Sequence, residues 1–325
     1  MHVVAIGGGG GAGQVLQAVQ PFAGRRTAII AVTDTGRSTG LARAIGAIPA
    51  PGDLRATIAA FAEDRLIAEL LQHRFDGTAI AQLEGMAFGN LLIAALARVT
   101  GDFTTAVAYV AELAECAVTV LPVSRADAQL CAELADGSMV YGELAVRGLN
   151  KPPIKRLFLA EAAEAYPAAL DAIRDADLVV LGPGSLFTTL LATLLFDGMA
   201  EALYITRGKV VFVCNTTTQP GQTDTLRMVD HVQRVMAALG PATLDAVLVN
   251  RATPDAAALQ AYEAEGLFLL RPDAEELAAT AALGIEVMVR DLSEPPGEKR
   301  AMWNKQDTLR HDPLRLGSAL RELLA

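Results

Sequence analysis

Residues 7–13 read Gly7-Gly8-Gly9-Gly10-Gly11-Ala12-Gly13, six glycines in seven positions. Backbone without side chains turns tightly and comes close to a phosphate, and the N–H groups of a following helix point at the anion. The run therefore predicts a phosphate cradle built from Gly8, Gly9, Gly10 and Gly11. Gly8, Gly10 and Gly13 also fit a dinucleotide-binding spacing, with Asp34 about twenty residues on. In so glycine-rich a stretch that match is cheap. No Gly-Lys-Ser or Gly-Lys-Thr follows, so this is not the loop of a nucleoside triphosphatase.

A second cradle is legible at residues 34–40, Asp34-Thr35-Gly36-Arg37-Ser38-Thr39-Gly40. Ser38 and Thr39 offer hydroxyls, and Arg37 offers a guanidinium fork for a phosphate. Three roles are open to Asp34: ribose acceptor, metal ligand or helix N-cap. Asp53 and Asn90 each precede apolar helical stretches, where capping competes with a role in a site. Gly182-Pro183-Gly184-Ser185 forms another anion-nest candidate at a helix start, with Gly184 and Ser185 as its ligand-facing members. The four histidines form no constellation, and no zinc-type spacing occurs.

These residues need a frame. Apolar runs at 2–6, 28–32, 117–121, 178–181, 210–213 and 244–249 are bounded by turn residues and separated by helical periodicity. That alternation predicts an α/β fold, a doubly wound and mostly parallel sheet. Strand one then ends in glycines and the others end in Asp34, Ser185, Asn215 and Asn250, so these polar groups converge at the carboxyl edge where such sheets bind ligands. The first helix is expected around 14–20. Residues 53–115 read as a helical insertion. Asp136-Gly137, between runs at 129–134 and 139–144, predicts a small antiparallel hairpin extending the sheet edge. Pro295 to Arg300 reads as an exposed loop, and a last helix is expected from about Leu314.

The chain has 325 residues and a net charge of −10, with 52% hydrophobic and 20% charged residues. This is a globular composition. The acidic balance argues against nucleic acid or an anionic membrane surface as partner, since both select basic faces. No apolar run approaches the roughly 18 residues of a membrane span. Three cysteines in apolar segments and the lack of a basic leader point to reduced thiols and a cytoplasmic location.

Motifs from end to end resemble one family, which contains the bacterial gluconeogenesis factor and the 2-phospho-L-lactate transferase of deazaflavin cofactor synthesis. They are Ala5 to Gly9, Asp34 with Gly36 to Gly40, Pro51 to Arg55, Phe88 to Leu92, Thr100 to Phe103, Val120 to Val123, Ala176 to Thr188, Val213 to Asn215, Thr218 to Thr223 and Arg310 to Pro313. The later motifs resemble the gluconeogenesis-factor branch more than the transferase branch. The resemblance implies one Rossmann-like domain over residues 1–325, a homodimer, and a uridine-nucleotide sugar as ligand of a regulatory protein tied to carbon metabolism and cell-envelope morphogenesis. In the transferase branch it implies Mg²⁺-assisted transfer of a phospholactyl group to a deazaflavin alcohol, with Asp34 organising the metal. Within that frame Asp34 and Asn215 are expected on ribose or sugar hydroxyls, Arg37 on the diphosphate and Asn90 on the sugar or a closing loop. Four positions depart from the family. Gly10 replaces a threonine, Thr35 the second of two aspartates, Arg37 a glycine and Met86 a histidine. Losing one carboxylate removes a hard oxygen ligand and weakens the case for a metal.

Overall fold

A computed structural model describes residues 1–77, 80–254, 256–294 and 309–324, apart from the Arg37 side chain. The loop expected at 295–300 lies outside the described residues. Among the described residues twelve strands form in chain order: β1 His2–Gly7, β2 Arg25–Ile30, β3 Arg74–Phe75, β4 Met86–Ala87, β5 Thr119–Pro122, β6 Leu130–Leu134, β7 Met139–Tyr141, β8 Ile154–Leu159, β9 Leu178–Leu181, β10 Lys209–Val213, β11 Ala246–Asn250 and β12 Glu286–Arg290. Seven of them make one sheet in the order β12-β11-β10-β9-β1-β2-β5. Every neighbouring pair in it is parallel. β1 and β9 are buried at every position. That explains their unbroken apolar runs, because helices cover both faces of the sheet.

The chain starts at the centre of the sheet. It builds β2 and β5 on one side of β1, then crosses to β9 and continues outward to β12. The strand order reverses between β1 and β9, the crevice where open α/β sheets take their ligands.

Helix α1, Gly9–Ala18, begins inside the glycine run rather than after it, with Gly8 as its N-cap. Between β2 and β5 lie α2 Arg37–Gly46, α3 Gly52–Ala60, α4 Arg65–Gln72, α5 Phe88–Thr100 and α6 Phe103–Leu113. This is the expected helical insertion, broken by the two-residue ribbon β3-β4. Its motifs are punctuation. Gly101, at φ +74°, ends α5, and the Asp102 carboxylate accepts the Thr105 N–H at 2.6 Å to start α6.

The hairpin at 130–141 forms, but it is not an edge of the large sheet. β6 pairs with β7 and also with β8, giving a separate antiparallel sheet of order β7-β6-β8. The second run stops at Tyr141, and residues 143–147 turn instead into a short helix α7, Glu143–Arg147. Gly142, at φ +89°, permits that change of direction. Strand β12 was not foreseen. Its Glu-Val-Met-Val-Arg alternation suits an edge strand with one exposed face. Leu130, Ala132, Val146 and Ile154 belong to the same buried core as β1 and β9, so the small sheet is packed onto the large one.

Candidate functional site

The two glycine loops at the strand reversal meet each other. A Cβ at Gly11 would lie 1.8 Å from the Pro183 carbonyl oxygen. A Cβ at Gly9 would lie 2.7 Å from the Asp53 carbonyl oxygen, and one at Gly8 would lie 2.7 Å from Asp53 Oδ2. The glycines are thus required by close packing of α1 against α3 and the Pro183 loop. Only Gly10 faces open space. The positive end of α1 is already served from within: the Gly9 N–H stabilises the Asp53 carboxylate, partly offsetting the burial and the nearby Asp34 charge that raise its pKa.

The cleft lies over the carboxyl ends of β2, β9 and β10 and has a volume of about 740 Å³. Of the residues singled out from sequence, Asp34, Ser38, Thr39, Asp53, Asn90 and Ser185 line it. Gly8, Gly9, Gly10, Gly11, Gly184 and Asn215 do not. The Asn215 amide donates to the Gly184 carbonyl at 2.6 Å, so it holds the loop after β9 in place. Asn250 does similar work after β11, accepting the Leu292 N–H at 2.9 Å. Arg37 opens α2.

Caps turn out differently from expectation. The Asp34 carboxylate accepts the Gly36 N–H at 3.0 Å and shapes the turn before α2, while Gly36 itself is the N-cap. Asp53 is the second residue of α3, whose N-cap is Pro51. Asn90 lies within α5, and its Nδ2 donates to Ser38 Oγ at 3.0 Å.

Sequence reading missed the charged partners. Arg55, on α3, is buried. It donates through Nη1 to the Leu71 carbonyl at 3.0 Å and to the Gln72 side chain, while its Nε has no partner. Burial, with the neighbouring Arg74 guanidinium, lowers its pKa to about 10. Arg74 donates to the Gly85 carbonyl at 2.8 Å and to Ser38 Oγ at 3.4 Å. On the facing wall, Glu143 accepts from Arg147 at 3.1 Å through Oε1, and its Oε2 is buried with no partner. Burial and then the Asp34 charge raise the Glu143 pKa, against the pull of Arg147 and the Thr35 N–H. Arg55, Arg74 and the Glu143–Arg147 pair are scattered in sequence, and only the four-residue spacing of that pair on α7 is a local pattern. The Arg55 position did lie inside a noted motif, Pro51 to Arg55.

The cleft therefore has a basic side, Arg55 and Arg74 around Ser38, and an acidic middle, Asp34 between Asp53 and Glu143. The loops after β9 and β10 close it. Ser185 donates to Gln222 Oε1 at 3.1 Å, and the Leu186 N–H donates to Gln219 Oε1 at 3.2 Å.

A family model described as 2-phospho-L-lactate transferase CofD matches residues 3–293. The chain belongs to this family. Among its relatives, the gluconeogenesis factor of Bacillus subtilis (strain 168) is 36% identical over 324 residues, covering 99% of this chain and 98% of the relative. A putative gluconeogenesis factor of Thermotoga maritima is 34% identical, with 99% of each covered. The crystal structure of a UPF0052-family protein from Bacillus halodurans matches with a TM-score of 0.88 at 32% identity, covering 98% of both chains. The CofD-family frame thus carries the Rossmann-like sheet and the small antiparallel sheet together.

The transferase branch of the family implies Mg²⁺. Among the described residues, no group of three or more His, Cys, Asp or Glu side chains could hold a metal ion. Each of the three carboxylates here is engaged by an N–H donor: Asp34 by Gly36, Asp53 by Gly9 and Glu143 by Arg147. These residues do not make a metal cage of their own.

Proposed function

We propose that this CofD-family chain is a nucleotide-sugar-binding regulatory protein of the gluconeogenesis-factor type, acting in carbon metabolism and cell-envelope morphogenesis, and that a uridine diphosphate sugar is its ligand. The observation that carries the reading is the polarity of the cleft. Guanidinium groups on one side suit a diphosphate. The carboxylates of Asp34 and Glu143 suit the hydroxyls of a ribose or sugar, which donate hydrogen bonds to them. The volume falls in the range of small-molecule sites, roughly 300–1,000 Å³. Near-full-length similarity to gluconeogenesis factors supports the same branch. Among the described residues no helix is long and apolar enough to cross a membrane. The reading includes a cytoplasmic homodimer, which sedimentation of the purified chain checks.

Titration calorimetry with a uridine diphosphate sugar and with NAD tests the assignment. The expected result is tighter binding of the sugar nucleotide; tighter binding of NAD overturns it. The alternative reading is a phospholactate-type transferase acting on a deazaflavin, supported by the family model that matches residues 3–293. Release of a deazaflavin on denaturing native protein, detected by mass spectrometry, would favour it.

A further inference from the structure

Two helices start near the crevice, and they differ in what faces their first turns. At α1 the anion position is taken by Asp53 of the same chain. At α2 the preceding residue, Gly36, caps without a side chain, and the Asp34 carboxylate takes only the Gly36 N–H, ahead of the helix; the side chains meeting the first turn at Ser38 are the N–H donors Asn90 and Arg74. Ser38, in the first turn of α2, is 5% exposed. Its oxygen accepts from both Asn90 and Arg74, which leaves the hydroxyl proton to be given away. With either face of the Asn90 amide toward Ser38, this pair retains an O–H or N–H to donate. Asn90 is 1% exposed, and its Oδ1 has no partner as the amide stands.

Arg55 adds the decisive observation. It is 6% exposed, lines the cleft, and has an Nε–H with no acceptor. A buried guanidinium N–H without an acceptor costs free energy. A second guanidinium, Arg74, lies close enough to repel it. An anion with several acceptor oxygens beside the two arginines offsets their repulsion, and a small shift of the Arg55 side chain lets the same anion accept from Nε.

We infer that one phosphoryl group of the ligand is held at the start of α2, by Arg55, Arg74 and the Ser38–Asn90 pair, and not at the glycine run before α1. The inference rests on the nucleotide-sugar reading only for what is attached to that phosphoryl group. The groups named recognise a tetrahedral oxyanion of any phosphorylated ligand, with two guanidinium donors and a hydroxyl donor converging on it. The helix end adds its partial positive charge.

Inorganic pyrophosphate is the probe, titrated calorimetrically into the full chain and its variants. Arg74→Met and Ser38→Ala each remove one donor at α2. Gly10→Asp places a carboxylate at the start of α1, where a side chain meets open space. The expected result is a loss of at least tenfold in pyrophosphate affinity for Arg74→Met, a smaller loss for Ser38→Ala, and parental affinity for Gly10→Asp. Circular dichroism and melting confirm folding, and Ser38→Ala, the smaller change, stands alone if Arg74→Met does not fold. Parental affinity in both Arg74→Met and Ser38→Ala, loss of affinity in Gly10→Asp, or no binding by the parent at millimolar pyrophosphate overturns the inference. If pyrophosphate binds as expected and a uridine diphosphate sugar does not, the phosphoryl site stands and the nucleotide-sugar reading falls.

Discussion

Asn90 and Ser38, 52 positions apart, share a buried hydrogen bond of 3.0 Å that pins the first turn of α5 to the first turn of α2. Neither residue caps its helix. The bond couples the basic side of the cleft to the helical insertion, so its loss is felt in stability as well as in binding. Asn90→Ala leaves Ser38 Oγ with one fewer donor in a buried place, a change worth about 1–3 kcal/mol. The expected outcome is a melting temperature several degrees below the parent, checked by calorimetry. An unchanged melt would show that the pair is not a structural tie.

The glycines of the first loop should respond in opposite ways. Gly11→Ala forces a methyl into the Pro183 carbonyl, against backbone that has nowhere to go. A loss of several kcal/mol, or failure to fold, is expected from such overpacking. Gly10→Ala meets nothing within 4 Å and lies in a helix. Its expected effect is neutral to a gain of about 0.5–1 kcal/mol. Denaturant melts of the two variants check the contrast, and equal effects would refute it.

His311 is 3% exposed, its Nε2 has no partner, and burial alone lowers its pKa to about 4 from 6.5. The folded state therefore holds it neutral, while the unfolded chain takes up a proton below about pH 6.5. Stability contributed above that pH is lost as pH falls toward 4, on the order of 3 kcal/mol in all. His231, also buried, has a pKa lowered in the same direction. Calorimetric melts at pH 7, 6 and 5 should decline more gently for His311→Gln than for the parent. Parallel declines would assign the acid sensitivity elsewhere.

Glu143 has the opposite sign. Its pKa is raised in the fold, by burial and by Asp34, so the folded state binds that proton more tightly than the unfolded one. Its contribution to stability is present at low pH and is lost as pH rises from the unfolded value of 4.5 through the raised one. Glu143→Gln removes this dependence. Its ion pair with Arg147 is about one-third exposed on the arginine side and offsets little of the effect. The melting temperature of the variant relative to the parent should rise between pH 4.5 and pH 8, by a few degrees. A relative melting temperature that falls over that range would mean the carboxylate is a net stabiliser.

The sheet was legible because six of its seven strands are apolar runs closed by turn residues, the signature of strands buried on both faces. β12 escaped because Glu286 and Arg290 interrupt that signal at an edge. The second cradle was legible too, since Asp34, Ser38 and Thr39 are neighbours in sequence and in the cleft. Glycine is ambiguous in a way sequence does not resolve: the same lack of a side chain serves a ligand or a neighbouring backbone. Gly8, Gly9 and Gly11 serve Asp53, Thr189 and Pro183, contacts made across the fold. Glu143 was hidden for another reason. Residues 139–144 read as one strand, and the turn at Gly142 that sends Glu143 and Arg147 to the cleft comes from backbone geometry rather than from polarity.

One wall of the cleft, carrying Glu143 and Arg147, hangs from a sheet whose strands pair only with one another. Ligand preference can therefore be inherited separately from the frame. Drift among the cleft-lining residues 143–149 changes what the acidic middle selects, while Leu130, Ala132, Val146 and Ile154 stay tied to the shared core. At Gly221, with φ +76°, a side chain would collide with the Gly148 and Arg147 carbonyls at 2.5 and 2.9 Å. A lineage free to retune that wall is not free to give up this glycine.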